Sequence, residues 1–270
     1  MKNKAIGVFD SGLGGLTAVK ELIKCLPHEN IVYFGDTGRV PYGTRSKETI
    51  IKYAMQDARF LLEHNVKMII AACGTVSSVA SSLGESLPVK FSGVLEPTAK
   101  AAACATKTGS VAVLGTSATI NSHSYKKHLE SINPDIKVFE QDCPLFVPLV
   151  ESGFRDKEDI IVKSVIERYV SQFKNTEIDT VILGCTHYPL LKEAIAQTLG
   201  GNVKLIDSGY ETALYTKKLL ENHNLLSDRK EEGKREFFVS DTPHNFENIA
   251  GLFLGRDMKS KATRIDIEKY

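Results

Sequence analysis

Met68-Ile69-Ile70-Ala71-Ala72-Cys73-Gly74-Thr75 and Thr180-Val181-Ile182-Leu183-Gly184-Cys185-Thr186-His187-Tyr188-Pro189 are two copies of one pattern. Each is a compact apolar run ending in Cys, followed by Thr or Gly-Thr and then by a segment that can be helical. A short apolar run bounded by turn-formers predicts a parallel strand buried on both faces. Both thiols would then stand at the carboxyl ends of strands, where open α/β sheets bind their ligands.

The flanking sequence follows the same grammar. Ala5–Phe9 predicts a strand closed by Asp10-Ser11-Gly12, and Leu16, Val19, Leu22, Ile23 and Leu26 follow at helical spacing up to Pro27. Ile31–Gly35 predicts the next strand. The loop Asp36–Gly43 follows, and then a helix with Ser46 as N-cap. After Glu96-Pro97 the order restarts. An alanine-rich helix (Ala99–Ala105) leads to a strand at Val111–Gly115 and a turn at Thr116–Thr119, and a helix runs from about Ser122 to Glu130. A strand at Lys137–Phe139, a long helix from Lys157 to Phe173 and the second cysteine strand come next. Val203–Asp207 and a helix over Glu211–Leu220 follow. The tail, Phe237–Ser240 with a helix near Phe246–Leu254, is expected to return to the first unit.

This alternation predicts a doubly wound parallel sheet. The intervals Asp10–Cys73 and Thr116–Cys185 carry the same elements in the same order. The fold expected is therefore α/β: two similar doubly wound parallel-sheet domains, related by a pseudo-twofold and facing each other across a central cleft. The boundaries expected are 1–96 plus 208–270 for the first domain, with Asp10 and Cys73, and 97–207 for the second, with Glu151 and Cys185.

The chain has 270 residues, 34 Lys and Arg against 33 Asp and Glu, and a net charge of +1. That balance advertises neither a nucleic-acid nor a membrane partner. No uncharged apolar stretch is long enough to span a bilayer. The N-terminal apolar run is interrupted by Asp10, so no secretory signal is expected. The cysteines are Cys25, Cys73, Cys104, Cys143 and Cys185. An odd count argues against a disulfide scaffold and fits a reducing, cytoplasmic compartment.

A buried Cys at a strand end is usually a small hydrophobe. Two in matching contexts suggest more, because inverting an amino-acid α-carbon needs like bases on its two faces. Half ionisation of a thiol at pH 7 requires lowering its pKa by about 1.5 units, roughly 2 kcal/mol. A helix N-terminus supplies about 0.3–1 kcal/mol, so a neighbouring proton acceptor is wanted. His187, two residues after Cys185, can be that acceptor. Asp10 is different: a carboxylate raises the pKa of a nearby thiol, so its expected work is to relay a proton or pair with a substrate ammonium. Asp10–Gly15 only weakly matches a phosphate-binding turn, and its amides could hold a carboxylate instead. Tyr42, Gly43, Thr75, Thr116, Thr119 and Thr186 offer hydroxyls or amides at strand ends, each equally able to cap or turn. Zinc on Cys73, Cys185 and His187 is a rival for the thiols, but the chain has no CxxC and no HExxH. A cysteine hydrolase would leave one thiol without a purpose.

Taken together, several motifs resemble the cofactor-independent glutamate racemases of the aspartate/glutamate racemase superfamily. They are Val8–Gly15, Gly35-Asp36-Thr37 with Arg39–Gly43, the Cys73 turn, Leu114-Gly115-Thr116 with Ala118-Thr119-Ile120, Phe146–Glu151 and Leu183–Leu190. The resemblance spans nearly the whole chain. It implies interconversion of L- and D-glutamate without pyridoxal phosphate or metal, in a cytoplasmic enzyme that feeds peptidoglycan synthesis and is often a homodimer. It implies Cys73 and Cys185 as acid/base residues, with Cys73 facing D-glutamate and Cys185 L-glutamate, assisted by Asp10, Glu151 and His187. Substrate contacts are implied for Asp10, Ser11, Tyr42, Gly43, Thr75, Thr186 and His187. One position departs. The family usually carries Cys-Asn-Thr where this chain has Cys73-Gly74-Thr75, so the Gly74 backbone N–H or a water stands in for an amide. The rival readings are a racemase of aspartate or another small acid, and a non-catalytic amino-acid-binding module.

Overall fold

The computed structural model describes residues 1–241, 246–255 and 261–270. In chain order the elements begin with β1 (Ala5–Asp10), α1 (Leu16–Cys25), β2 (Ile31–Gly35), α2 (Lys47–Glu63), β3 (Val66–Ala71), α3 (Gly74–Val79) and β4 (Lys90–Gly93). They continue with α4 (Leu95–Ala105), β5 (Ser110–Gly115), α5 (Ser117–Ser122), α6 (Ser124–Ile132), β6 (Lys137–Asp142), α7 (Phe146–Glu151) and α8 (Ile160–Val170). The last are β7 (Thr180–Leu183), α9 (Lys192–Leu199), β8 (Lys204–Asp207), α10 (Ser208–Asn222), β9 (Arg235–Val239), α11 (Phe246–Leu254) and β10 (Thr263–Arg264).

Two sheets result, both wholly parallel. One is ordered β10-β9-β2-β1-β3-β4 and the other β6-β5-β7-β8. The run β2-β1-β3-β4 repeats as β6-β5-β7-β8, so the sequence repeat is a repeat of topology. The chain reverses direction across the sheet between β1 and β3, and again between β5 and β7. Asp10 and Cys73 leave the first of these switch points, Thr116 and Cys185 the second. A crevice forms there because the helices after the two strands fold to opposite faces.

The central strands β1, β3, β5 and β7 are buried along their whole length, as strands covered by helices on both faces must be. One apolar cluster runs from Ile6, Met68 and Ile70 of the first sheet through Leu16, Val19 and Leu22 of α1. It continues to Ala112, Leu114 and Val181 of the second sheet. The tail joins the first sheet, β9 pairing with β2 from Ile31 opposite Arg235 to Gly35 opposite Val239.

Three local outcomes differ from the expectation. The helix expected over about 122–130 is α6, but the turn expected at Thr116–Thr119 is the start of a separate helix, α5, which Thr116 caps and which His123, in a left-handed conformation (φ 53°), separates from α6. The helix expected over 157–173 begins at Ile160, where the Asp159 side chain accepts from the amides of Ile161 and Val162, and residues 171–173 tighten into a 3-10 turn. β4, α7 and β10 were not anticipated: Lys90-Phe91-Ser92-Gly93 has no apolar run, Pro148 stands inside α7, and β10 is two residues long.

Candidate active site

The two thiols approach a single cavity of ≈ 340 Å³ from different sheets. Asp10 ends β1 and Ser11 follows it. Cys73 is the N-cap of α3, with Gly74 and Thr75 in its first turn. Tyr42 and Gly43 descend from β2, Thr116 caps α5, and Glu151 ends α7. Cys185, Thr186 and His187 follow β7. All of these line the cavity.

Thr119 does not. It is 1 % exposed and bonds Thr116 Oγ1 at 3.0 Å, so it reaches the cavity only through that residue. Tyr42 lines the cavity, but its hydroxyl donates to the buried carboxylates of Asp36 and Asp57 and is not free for a ligand. The cavity wall also contains Ser117, Pro144, Val147, Pro148 and Gly184, and with them Cys143, which the sequence gives no reason to separate from the bystander cysteines Cys25 and Cys104 but which the structure places against the site. Val147 and Pro148 lay inside a quoted motif, but nothing in an apolar residue marks it as facing a ligand.

The two sulfur environments differ. Cys73 is 5 % exposed and its thiol donates to Ser11 Oγ at 3.4 Å. Burial, and then the neighbouring Asp10 carboxylate, push this thiol up to about 12, so it is held protonated at neutral pH. Asp10 is itself raised, because burial outweighs the pull of His187 and of the backbone amides it accepts from.

Cys185 is 7 % exposed, with its Sγ 3.7 Å from His187 Nδ1. His187 Nε2 lies 3.0 Å from Glu151 Oε1. Burial opposes charge on the imidazole, but hydrogen bonds to Cys185 and Glu151 override it and hold His187 at about 10. A protonated imidazole donates from both nitrogens, one toward sulfur and one toward carboxylate. The cavity thus pairs a thiol on one wall with a sulfur beside an imidazolium on the other.

The walls meet at glycines. A Cβ at Gly14 would lie 2.4 Å from Thr186 Oγ1 and 2.5 Å from the His187 ring, and one at Gly74 would lie 2.2 Å from the Gly184 carbonyl oxygen. Thr17 Oγ1 donates to Thr186 O at 2.9 Å, and Thr75 and Thr116 share a hydrogen bond at 3.1 Å. Phe253 of α11 packs edge-on against the His187 ring, with centroids 5.2 Å apart. Among the described residues, no three or more His, Cys, Asp or Glu side chains converge to hold a metal.

The Asp/Glu/Hydantoin racemase family model matches residues 16–215. The glutamate racemase of Geobacter metallireducens is 46% identical over 253 residues, 93% of each chain. The crystal structure of the Francisella tularensis glutamate racemase in complex with D-glutamate superposes with a TM-score of 0.92 at 39% identity, covering 100% of both chains. The RacE1 isoform from Bacillus anthracis superposes at 0.93 with 36% identity over 98% of each. An aspartate racemase homologue from Pyrococcus horikoshii, at 20% identity and a TM-score of 0.60, shares the fold alone. With this match and this geometry, the chain belongs to the Asp/Glu/hydantoin racemase family, on the side of its glutamate racemases.

Proposed function

We propose that this protein interconverts L- and D-glutamate by two-base proton transfer, with Cys73 and Cys185 as the two bases and without pyridoxal phosphate. The observation that carries the reading is that the two thiols line one cavity from different sheets. From L-glutamate, the Cys185 thiolate takes the α-proton and the Cys73 thiol gives its own proton to the opposite face. The cycle leaves Cys185 protonated and Cys73 as thiolate, ready for the reverse. The elevated thiol at Cys73 and the imidazolium beside Cys185 correspond to the state primed for L-glutamate.

Asp10, Glu151 and His187 assist: Glu151 orients His187, His187 sustains charge at Cys185, and Asp10 carries a proton on the Cys73 side. Ser11, Gly43, Gly74, Thr75, Thr116 and Thr186 supply the donors that hold the two carboxylates while negative charge develops at the α-carbon. Closing the two units, 1–96 with 208–270 and 97–207, excludes water from that charge. We read the enzyme as a cytoplasmic homodimer supplying D-glutamate for peptidoglycan.

Racemisation in heavy water tests the scheme, with chelator present and no added cofactor. The product should carry deuterium at the α-carbon, and glutamate should be turned over far faster than aspartate. Racemised product without deuterium would sink the two-base scheme, and a preference for aspartate would reassign the substrate.

A further inference from the structure

Thr17 is the second residue of α1, the helix that follows β1, and it is buried. Its Oγ1 lies 2.9 Å from Gly14 O and 2.9 Å from Thr186 O. A hydroxyl has one proton to give. Gly14 O already accepts the Thr17 amide at 3.0 Å, whereas among the described residues no backbone amide reaches Thr186 O. Thr186 is buried as well, and a buried carbonyl needs a donor. The proton therefore goes to Thr186 O. The bond crosses from the first sheet's helix to the loop after β7 of the second sheet, between residues 169 apart in the chain. The approach is close because Gly14, in the turn before α1, has no side chain to hold Thr186 and His187 off. The loop's own bonds are local: Tyr188 N donates to Cys185 O at 3.0 Å and Leu190 N to His187 O at 3.1 Å. They leave the carbonyl in the middle, between the thiol and the imidazole, to be met from outside.

We infer that Thr17 is a positioning residue: its hydroxyl, delivered from α1, fixes the Thr186–His187 peptide and so the aim of Cys185 and His187 into the cavity. Thr17 does not line the cavity, so it acts only through that peptide. The inference rests on the two-base reading for its effect on turnover, but not for the hydrogen bond itself.

The test compares Thr17→Val, which keeps the shape and removes the hydroxyl, with Thr17→Ser, which keeps the hydroxyl. Amide hydrogen exchange is read residue by residue by NMR on the whole chain. Two amides are matched reporters beside the two thiols: Tyr188, which donates to Cys185 O, and Ser77, which donates to Cys73 O at 2.9 Å. In Thr17→Val, Tyr188 should exchange about 10-fold faster while Ser77 keeps its native rate. The kcat for glutamate should fall roughly 10- to 100-fold, as for a misplaced reacting group, with KM moving far less. Thr17→Ser should stay near native in both. General loosening of the fold would move the two amides together. Native exchange at Tyr188, an equal rise at both amides, or native kcat in a chain that racemises glutamate would each overturn the inference. If the two amides separate as expected but the native chain does not racemise glutamate, the tie stands and the two-base reading falls. If Thr17→Val does not fold, Thr17→Ala and Thr17→Ser take its place, since they differ only in the hydroxyl. Faster exchange at Tyr188 in the alanine chain alone supports the inference, and equal exchange in the two overturns it.

Discussion

A thiol held at about 12 and an imidazole held at about 10 face each other across one cavity, and each is set by its immediate neighbours. Cys73→Ala and Cys185→Ala should each lose 10²–10⁴-fold or more in turnover, roughly the range for removing a positioned acid or base, with little change in melting temperature. Cys25→Ala and Cys104→Ala should stay near native activity, since neither lines the cavity. Enantiomers have equal free energies, so kcat/KM must be the same from either side in every variant. Asymmetry between the thiols will therefore show in kcat and KM taken separately. Glu151→Gln removes a carboxylate that raises His187, so the imidazole should titrate below the value of about 10 in the native chain. NMR of the labelled histidine reads this directly, and an unmoved titration would contradict the assignment. The linkage sign follows. The folded His187 value lies above the unfolded one, so its stabilisation is complete below about 6.5 and is lost as pH rises through about 10. Glu151→Gln should lose stability earlier on that rise.

The loop between β2 and α2 presents Val40, Pro41, Tyr42 and Gly43 to the cavity and is held from behind by a buried charged network. Arg39 Nε lies 2.6 Å from Asp36 Oδ2, its Nη2 lies 3.3 Å from Asp57 Oδ1, and its Nη1 donates to Gln56 Oε1 at 2.6 Å. Asp36 and Asp57 are fully buried and share the Tyr42 hydroxyl. Burial, and then the like charge of Asp36, push Asp57 well above the usual carboxylate range. Arg39→Met strands two buried carboxyls, which should cost about 3 kcal/mol, at the low end for breaking a buried pair because Asp57 can stay protonated. A carboxyl raised in the folded state is stabilising at low pH. The loss in Arg39→Met should therefore grow as pH rises from about 4, which urea melts across pH will measure. Of this network the sequence displayed only the Gly35–Gly43 motif. That Asp57 on α2 turns back to meet it depends on the helix packing against β1 and β3, which no local spacing encodes.

Across the whole chain, the two sheets are joined by one apolar cluster through α1 and by polar ties at the rim of the cleft. A ligand that bridges both walls binds the folded chain and not the unfolded one. D-glutamate at about 100 times its Kd should therefore raise stability by about 2.7 kcal/mol. Cys73→Ala should keep most of that gain while losing turnover, because the carboxylate-binding donors remain. Thermal melts with and without ligand give both values. No stabilisation of the native chain would mean that the cavity does not hold glutamate.

The doubly wound class, the repeat and the pair of thiols were legible in the chain because each is a local pattern. Buried parallel strands need uninterrupted apolar runs, turns need Gly, Asp and Thr, and a duplicated unit repeats both. The unequal surroundings of the two thiols were not legible, nor was the service of Thr119 and the Tyr42 hydroxyl to other residues rather than to the cavity. The contact between Gly74 and Gly184 was equally hidden. The approach of Gly74 to Gly184 joins segments more than a hundred residues apart and exists only once the two sheets have closed on each other. The surroundings of the thiols come from burial, and the Thr119 and Tyr42 hydrogen bonds, though between residues near in sequence, depend on side-chain directions that only the folded backbone sets.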